Sequence, residues 1–181
     1  MNVNQSARIA FCGLITALGS LLMFLTGLVP VGLYALPALA GVLLMAVVIE
    51  TGPKWAWSVY AAVSILSLFI APDREAVLLF VLFFGYYPIL KASIERIKSR
   101  PVRVLLKLAD FNVSMAAEFL LGVYFLGLPR ESFSLFGVSL PWLFLLAGNF
   151  VFLLYDYAVS LLVVSYCKNF HAVVNKWLHS R

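Results

Sequence analysis

Three polar side chains recur every four residues within one apolar stretch: Asp110, Ser114 and Glu118. At the helical repeat they share one face. A second stretch carries Asn149 and Asp156, seven apart, with Ser160 continuing the same stripe. An ionisable group at membrane depth costs at least ~2.5–3.5 kcal/mol, which makes each such residue a functional candidate. Two carboxylates held close in low dielectric do not both ionise comfortably, so one keeps a proton or both bind a cation. A pair of this kind suits a solute with an amine, a cationic ring or several hydroxyl donors. The structural alternative is that each carboxyl bonds a Ser, Tyr or Trp on a neighbouring helix, with Tyr124, Tyr155 and Tyr157 available. Glu118, Asn149 and Asp156 are the leading candidate ligands. Asp110 is expected instead at an interface, beside Lys107 or Lys91.

These residues need elements to position them, and composition says what the elements are. The chain has 181 residues, 64% hydrophobic and 12% charged, with a mean hydropathy of +1.02. Soluble domains hold about 45–50% apolar and roughly 25% charged residues. A water-soluble fold of this length cannot hide so much apolar surface. An ordinary soluble enzyme, a nucleic-acid-binding module and a disordered chain are excluded, and the reading is an all-α integral membrane protein. A spanning helix needs about 20 apolar residues, so the chain holds six spans, expected near 7–29, 33–50, 55–71, 75–92, 104–128 and 138–166. The first is too long for a secretory h-region of ~7–15 residues and is expected to be retained.

Charge orients the bundle. With the N-terminus cytoplasmic, the inner side holds Arg8, Lys54, Lys91, Arg96, Lys98, Arg100, Arg103, Lys107, Lys168, Lys176 and Arg181, and the outer side only Arg74 and Arg130. The positive-inside rule favours that arrangement, with both termini in. The net charge of +5 then speaks of an anionic lipid leaflet rather than nucleic acid. In the tail, 167–181, Phe170, Val173, Val174, Trp177 and Leu178 recur at helical spacing. That segment is expected either to lie in the interface or to continue the sixth helix. Pro88 should kink the fourth helix near its inner end. Tyr34, in the first outer connection, and Trp142, near the third, are further candidates for solute contact. Asp73, Arg74, Glu75, Arg130 and Glu131 read as solvated loop charges.

The first helix carries small residues at Ser6, Ala7, Ala10, Gly13, Thr16, Ala17 and Ser20. Small-xxx-small strips let helices approach closely in a bilayer, either inside the bundle or against another membrane protein. The segment from Ala7 to Leu18, ARIAFCGLITAL, resembles the first helix of the S components of energy-coupling factor transporters. The resemblance extends to size, six hydrophobic segments and a first outer connection rich in Pro, Gly and Tyr. Gly13/Ala17 and Ser6/Ala10 are the nearest matches to that family's Ala-xxx-Ala motif. The resemblance implies a substrate-binding membrane subunit that captures a vitamin-like or other micronutrient solute for ATP-driven import. It implies a transmembrane coupling subunit and cytoplasmic ATPases as partners, docking through Ala10, Gly13 and Ala17, and a solute held near the outer side under the first loop. Two other classes share the topology: a non-transporting scaffold resembling rod-shape-determining membrane subunits, and a stand-alone carrier.

Nothing in the sequence suggests catalysis. There is no H-E-x-x-H, no G-x-S-x-G, no phosphate loop and no clustered His/Cys set. Cys12 and Cys167 lie far apart in apolar runs and read as inert thiols. No enzyme activity, cofactor or metal is expected. The simplest location is a prokaryotic cytoplasmic membrane.

Overall fold

The computed structural model describes residues 5–28, 32–125, 127 and 141–179. The described residues are helical throughout and contain no strand: α1 (Gln5–Leu25), α2 (Gly32–Thr51), α3 (Pro53–Ile70), α4 (Arg74–Leu79), a π-helical turn (Phe80–Phe84), α5 (Tyr87–Ile94), α6 (Arg100–Phe125), α7 (Pro141–Asn169) and α8 (His171–His179). Five segments are long and apolar enough to cross a membrane: Gln5–Leu25, Gly32–Thr51, Pro53–Ile70, Arg74–Ile94 and Leu145–Asn169. Their outward faces are apolar. Phe69 is 81% exposed, Leu146 71% and Val113 70%, which in a soluble protein would be an aggregation hazard. Helix α6 has the length, 26 residues, or about 39 Å. It is not in that set, and it carries Arg100, Arg103, Lys107, Asp110 and Glu118.

The sequence explains most element ends. Gly52 sits in the left-handed region (φ 91°), which a side chain rarely adopts, and Pro53 then opens α3 where a missing N–H costs nothing. Asp73 caps α4 by accepting from the backbone N–H groups of Glu75 (3.0 Å) and Ala76 (3.2 Å). The core of α1 to α4 gathers Met23, Ala40, Leu44, Val47, Val63, Ala76 and Phe80. A second, aromatic cluster joins Phe83, Tyr87, Phe111 and Phe152, with Phe111 and Phe152 stacked at 4.8 Å.

The fourth span breaks more elaborately than a proline kink. Residues 80–84 widen into a π-turn closed by the Gly85 N–H on the Phe80 carbonyl (2.8 Å), and α5 restarts at Tyr87. Pro88 has no N–H to give the Phe84 carbonyl four residues back. That carbonyl lies against Gly41 of α2, where a Cβ would collide with it. Tyr60 of α3 donates its hydroxyl to the neighbouring Val81 carbonyl at 2.7 Å. Two features of α2 and α3 thus accommodate the loosened backbone.

The tail does not simply continue α7. A turn at Phe170 separates α8, and Val174 packs back on the first core. Glu50, at the end of α2, has a side chain only 1% exposed; it accepts from the Tyr166 hydroxyl (3.0 Å) and meets His171 Nδ1 at 2.8 Å.

Candidate functional site

One stripe on α6 runs through the bundle: Lys107, Asp110, Ser114 and Glu118. Its members sit three or four residues apart, and Lys107, Ser114 and Glu118 are all buried. The stripe is best described rung by rung, starting from the end where α5 stops.

The Lys107 rung is an ion cluster. Asp156 of α7 takes Lys107 on both carboxylate oxygens (3.0 and 2.9 Å), pairs with Lys91 of α5, and accepts the Tyr87 hydroxyl at 2.6 Å. Lys91 also reaches Ser160 (2.8 Å) and the Asp156 backbone carbonyl (2.9 Å). Glu95, just past α5, closes the ring on Lys107 (3.1 Å) and Lys91 (3.2 Å). Two ammoniums meet two carboxylates, so the cluster is neutral, and Lys91 and Lys107 are 3% and 8% exposed. Burial alone would push the Glu95 carboxyl up, but the Lys107 and Lys91 ammoniums beside it hold it below its ordinary value.

The next rungs are also occupied. Tyr86 donates to Asp110 (3.1 Å) and shares a 2.7 Å bond with Ser114, which in turn bonds the Asp110 backbone carbonyl at 2.8 Å. Beside the stripe, Asn112 and Asn149 form a reciprocal amide pair between α6 and α7 (2.9 and 3.0 Å). Each gives its other N–H to a carbonyl of its own helix at 2.7 Å. All four amide hydrogens are used.

Glu118 is different. It is 6% exposed, and no described residue gives it a hydrogen bond or an ion pair. Its charged neighbours among the described residues are acids: the Glu75 carboxylate of α4 acts on Glu118, and the Tyr34 phenol of α2 feels Glu75, Glu118 and Asp73. Arg74, on the same rim, turns its guanidinium to the Leu68 carbonyl.

These positions correct several expectations. Glu118 and Asp156 do not approach as a carboxylate pair. Asp156 sits level with Lys107, eleven residues from Glu118 along α6, or about 16 Å. Asp110 does not partner Lys107 or Lys91, because both lysines close on Asp156. The carboxylates find Tyr86 and Tyr87 rather than Tyr124 or Tyr157, which are 72% and 64% exposed, while the buried Tyr155 hydroxyl has no hydrogen-bond partner. Lys91 and Lys107 belong to α5 and α6 and are buried. Tyr34 stands at the Glu118 end, half exposed. Trp142 opens α7, but its side chain, with Arg130 and Glu131, lies outside the described residues. Ala10, Gly13 and Ala17 share an exposed face of α1, where a Cβ on Gly13 would touch nothing within 4 Å.

Sequence reasoning gave Lys91 and Lys107 to Asp110 instead of Asp156, and missed Tyr87, Glu95, Glu50 and His171 as partners. One signal was there: Lys107 lies three residues before Asp110 and seven before Ser114, which puts it on the same stripe. An open groove of about 200 Å³ between α2 and α7 is nearly all apolar. Its polar members, Ser165 and Tyr166, already bond Asn169 and Glu50, so it offers a solute little recognition. No protein-family model, curated protein or solved structure matches the chain. The fold by itself defines an all-helical protein with five helices able to cross a membrane among its described residues.

Proposed function

We propose that the chain is a membrane-embedded capture subunit that binds a small solute from outside for import driven by partner ATPases. In this reading α6 is the additional span, giving six with both termini inside, and the Tyr34–Glu118 end faces outward. The observation that carries it is Glu118: a buried carboxyl with no hydrogen bond or ion pair from any described residue, while Lys107, Asp110 and Ser114 of the same stripe each have at least one partner, the Asp110 Oδ2 alone left open. A buried polar group without a partner is costly to a fold and is tolerated where a ligand completes it. The exposed small-residue face of α1, through Ala10, Gly13 and Ala17, supports a membrane partner, since side chains of that size let another helix approach closely. Among the candidate ligands, Glu118 and Tyr34 remain open to a solute. Asn149 and Asp156 act beneath them as the braces that hold α7 to α6 and α5.

The test is purification in mild detergent from the native membrane, with mass spectrometry of proteins and small molecules that come with it. Recovery of a membrane coupling subunit, ATPases and a bound solute is expected. Recovery of cell-wall or division proteins with no solute would overturn the proposal in favour of a scaffold. A solute without ATPases would leave a stand-alone carrier.

A further inference from the structure

We propose that the groove between α2 and α7 holds one acyl chain of an acidic phospholipid, with the phosphate head at the lysines flanking Phe170. The site lies apart from Glu118 and does not depend on the capture reading. Contacts define its surroundings. Leu43, Met45 and Ala46 of α2 line one wall, and Leu162 and Tyr166 of α7, with Phe170 at the turn into α8, line the other. A polar seam closes the groove one turn beyond Ala46: Tyr166 donates to Glu50 at 3.0 Å, and His171 Nδ1 meets the same oxygen at 2.8 Å. From Phe170 back to Leu162 the apolar wall runs eight residues, or about 12 Å. Polar at one end and apolar along its length, the groove has the profile of a lipid head and chain.

Charge at the seam says which lipid. Lys168 and Lys176 are exposed on either side of Phe170, and Lys54 is exposed at the start of α3, just after α2 ends. Arg8 of α1 joins this end, its guanidinium 5.5 Å over the Trp55 ring. None of these four cations forms an ion pair among the described residues. Glu50 is the acid here, and it is 1% exposed and held by Tyr166 and His171. Residues 1–4, 29–31 and 177–181, whose side chains are not described, contain no Asp or Glu. The other undescribed stretch joins α7 at Pro141, about 40 Å along that helix from Lys168. The free charge at the seam is therefore positive and favours an acidic head over a zwitterionic one. A partner helix is too large for the space. One helical turn fills roughly 400 Å³, from a 10 Å diameter and a 5.4 Å pitch, against about 200 Å³ in the groove. An acyl chain is thinner and needs no hydrogen-bond partner.

The experiment is native mass spectrometry of the whole chain in detergent, titrated with dioleoyl phosphatidylglycerol or with dioleoyl phosphatidylcholine. One retained phosphatidylglycerol is expected, with an apparent Kd about tenfold tighter than that of phosphatidylcholine. Lys168→Gln with Lys176→Gln should weaken it about fivefold for each charge removed. Arg96→Gln with Lys98→Gln, exposed bases just past α5, should change it by less than about twofold, since their charge acts from outside the site. Ser165→Phe, at an exposed position on the groove wall, fills the space and should abolish the retained lipid. The lysine variants keep the test readable if Ser165→Phe folds poorly. Equal retention of the two lipids, equal weakening by both pairs of base substitutions, or binding undiminished in Ser165→Phe overturns the proposal. A polypeptide retained in place of lipid and lost in Ser165→Phe overturns it in favour of a membrane partner.

Discussion

The two ends of the α6 stripe are built from the same chemistry and reach opposite outcomes. At the Lys107 end, Asp156 is bound by two ammoniums and a phenol, and the charges sum to zero. At the Glu118 end, a carboxyl more deeply buried than Asp156 has an acid, Glu75, as its described charged neighbour. A fold that neutralises one buried carboxylate so fully does not lack the means to neutralise another. The difference teaches that burial alone does not mark a site; burial without a partner does. The cluster fastens three helices, and the outer rung has no partner among the described residues.

Breaking the inner end should produce the largest effect. Asp156→Asn leaves two buried ammoniums sharing Glu95 as their one remaining carboxylate and is expected to destabilise by about 3–5 kcal/mol, or a Tm drop on the order of 10 °C in detergent. A Tm within two or three degrees of wild type, on the order of 1 kcal/mol, would show that the lysines find other partners. Gly41→Ala drives a methyl into the Phe84 carbonyl, which is backbone and cannot swing aside. A loss of about 1–3 kcal/mol is expected, read by thermal unfolding, because the π-turn that separates the two ends must then shift. Asn149→Ala leaves Asn112 half satisfied and should cost about 1–3 kcal/mol; Asn149→Ala with Asn112→Ala together should cost less than the sum of the singles.

The smallest effect is on pH. Glu95 titrates below its ordinary 4.5 because of Lys107 and Lys91. Its contribution is therefore complete above that value and is lost as pH falls through the lower, folded-state value. Since its side chain is 43% exposed, the contribution is salt-screened and worth at most a few degrees of Tm. Glu95→Gln should lower Tm by those few degrees at neutrality and remove this part of the stability loss below about pH 4.5.

Much of the fold was legible because hydropathy is a one-dimensional signal. The expected spans at 7–29, 33–50 and 55–71 fall close to Gln5–Leu25, Gly32–Thr51 and Pro53–Ile70. The site was legible in part. The i, i+4 spacing of Asp110, Ser114 and Glu118 placed them on one face, and the structure puts Ser114 and Glu118 inside. Which carboxylate met which base was not legible, because pairing depends on the rotation and depth of neighbouring helices. Lys91 read as a charged terminus because basic residues at helix ends usually are. It turns inward here because α5 restarts after the π-turn and brings Tyr87 and Lys91, four apart, to face Asp156. The break itself was visible only as Pro88; the widened turn before it depends on Gly41 and Tyr60, which are distant in sequence.

The most direct test sets the two carboxylates against each other in one experiment. Glu118→Gln and Asp156→Asn are purified from the native membrane in the same detergent, and Tm and the co-purifying solute are measured for both. The account predicts that Glu118→Gln keeps or gains stability and loses the solute, whereas Asp156→Asn loses stability while whatever remains folded still carries it. A Glu118→Gln protein that melts low yet retains the solute as wild type does would contradict it.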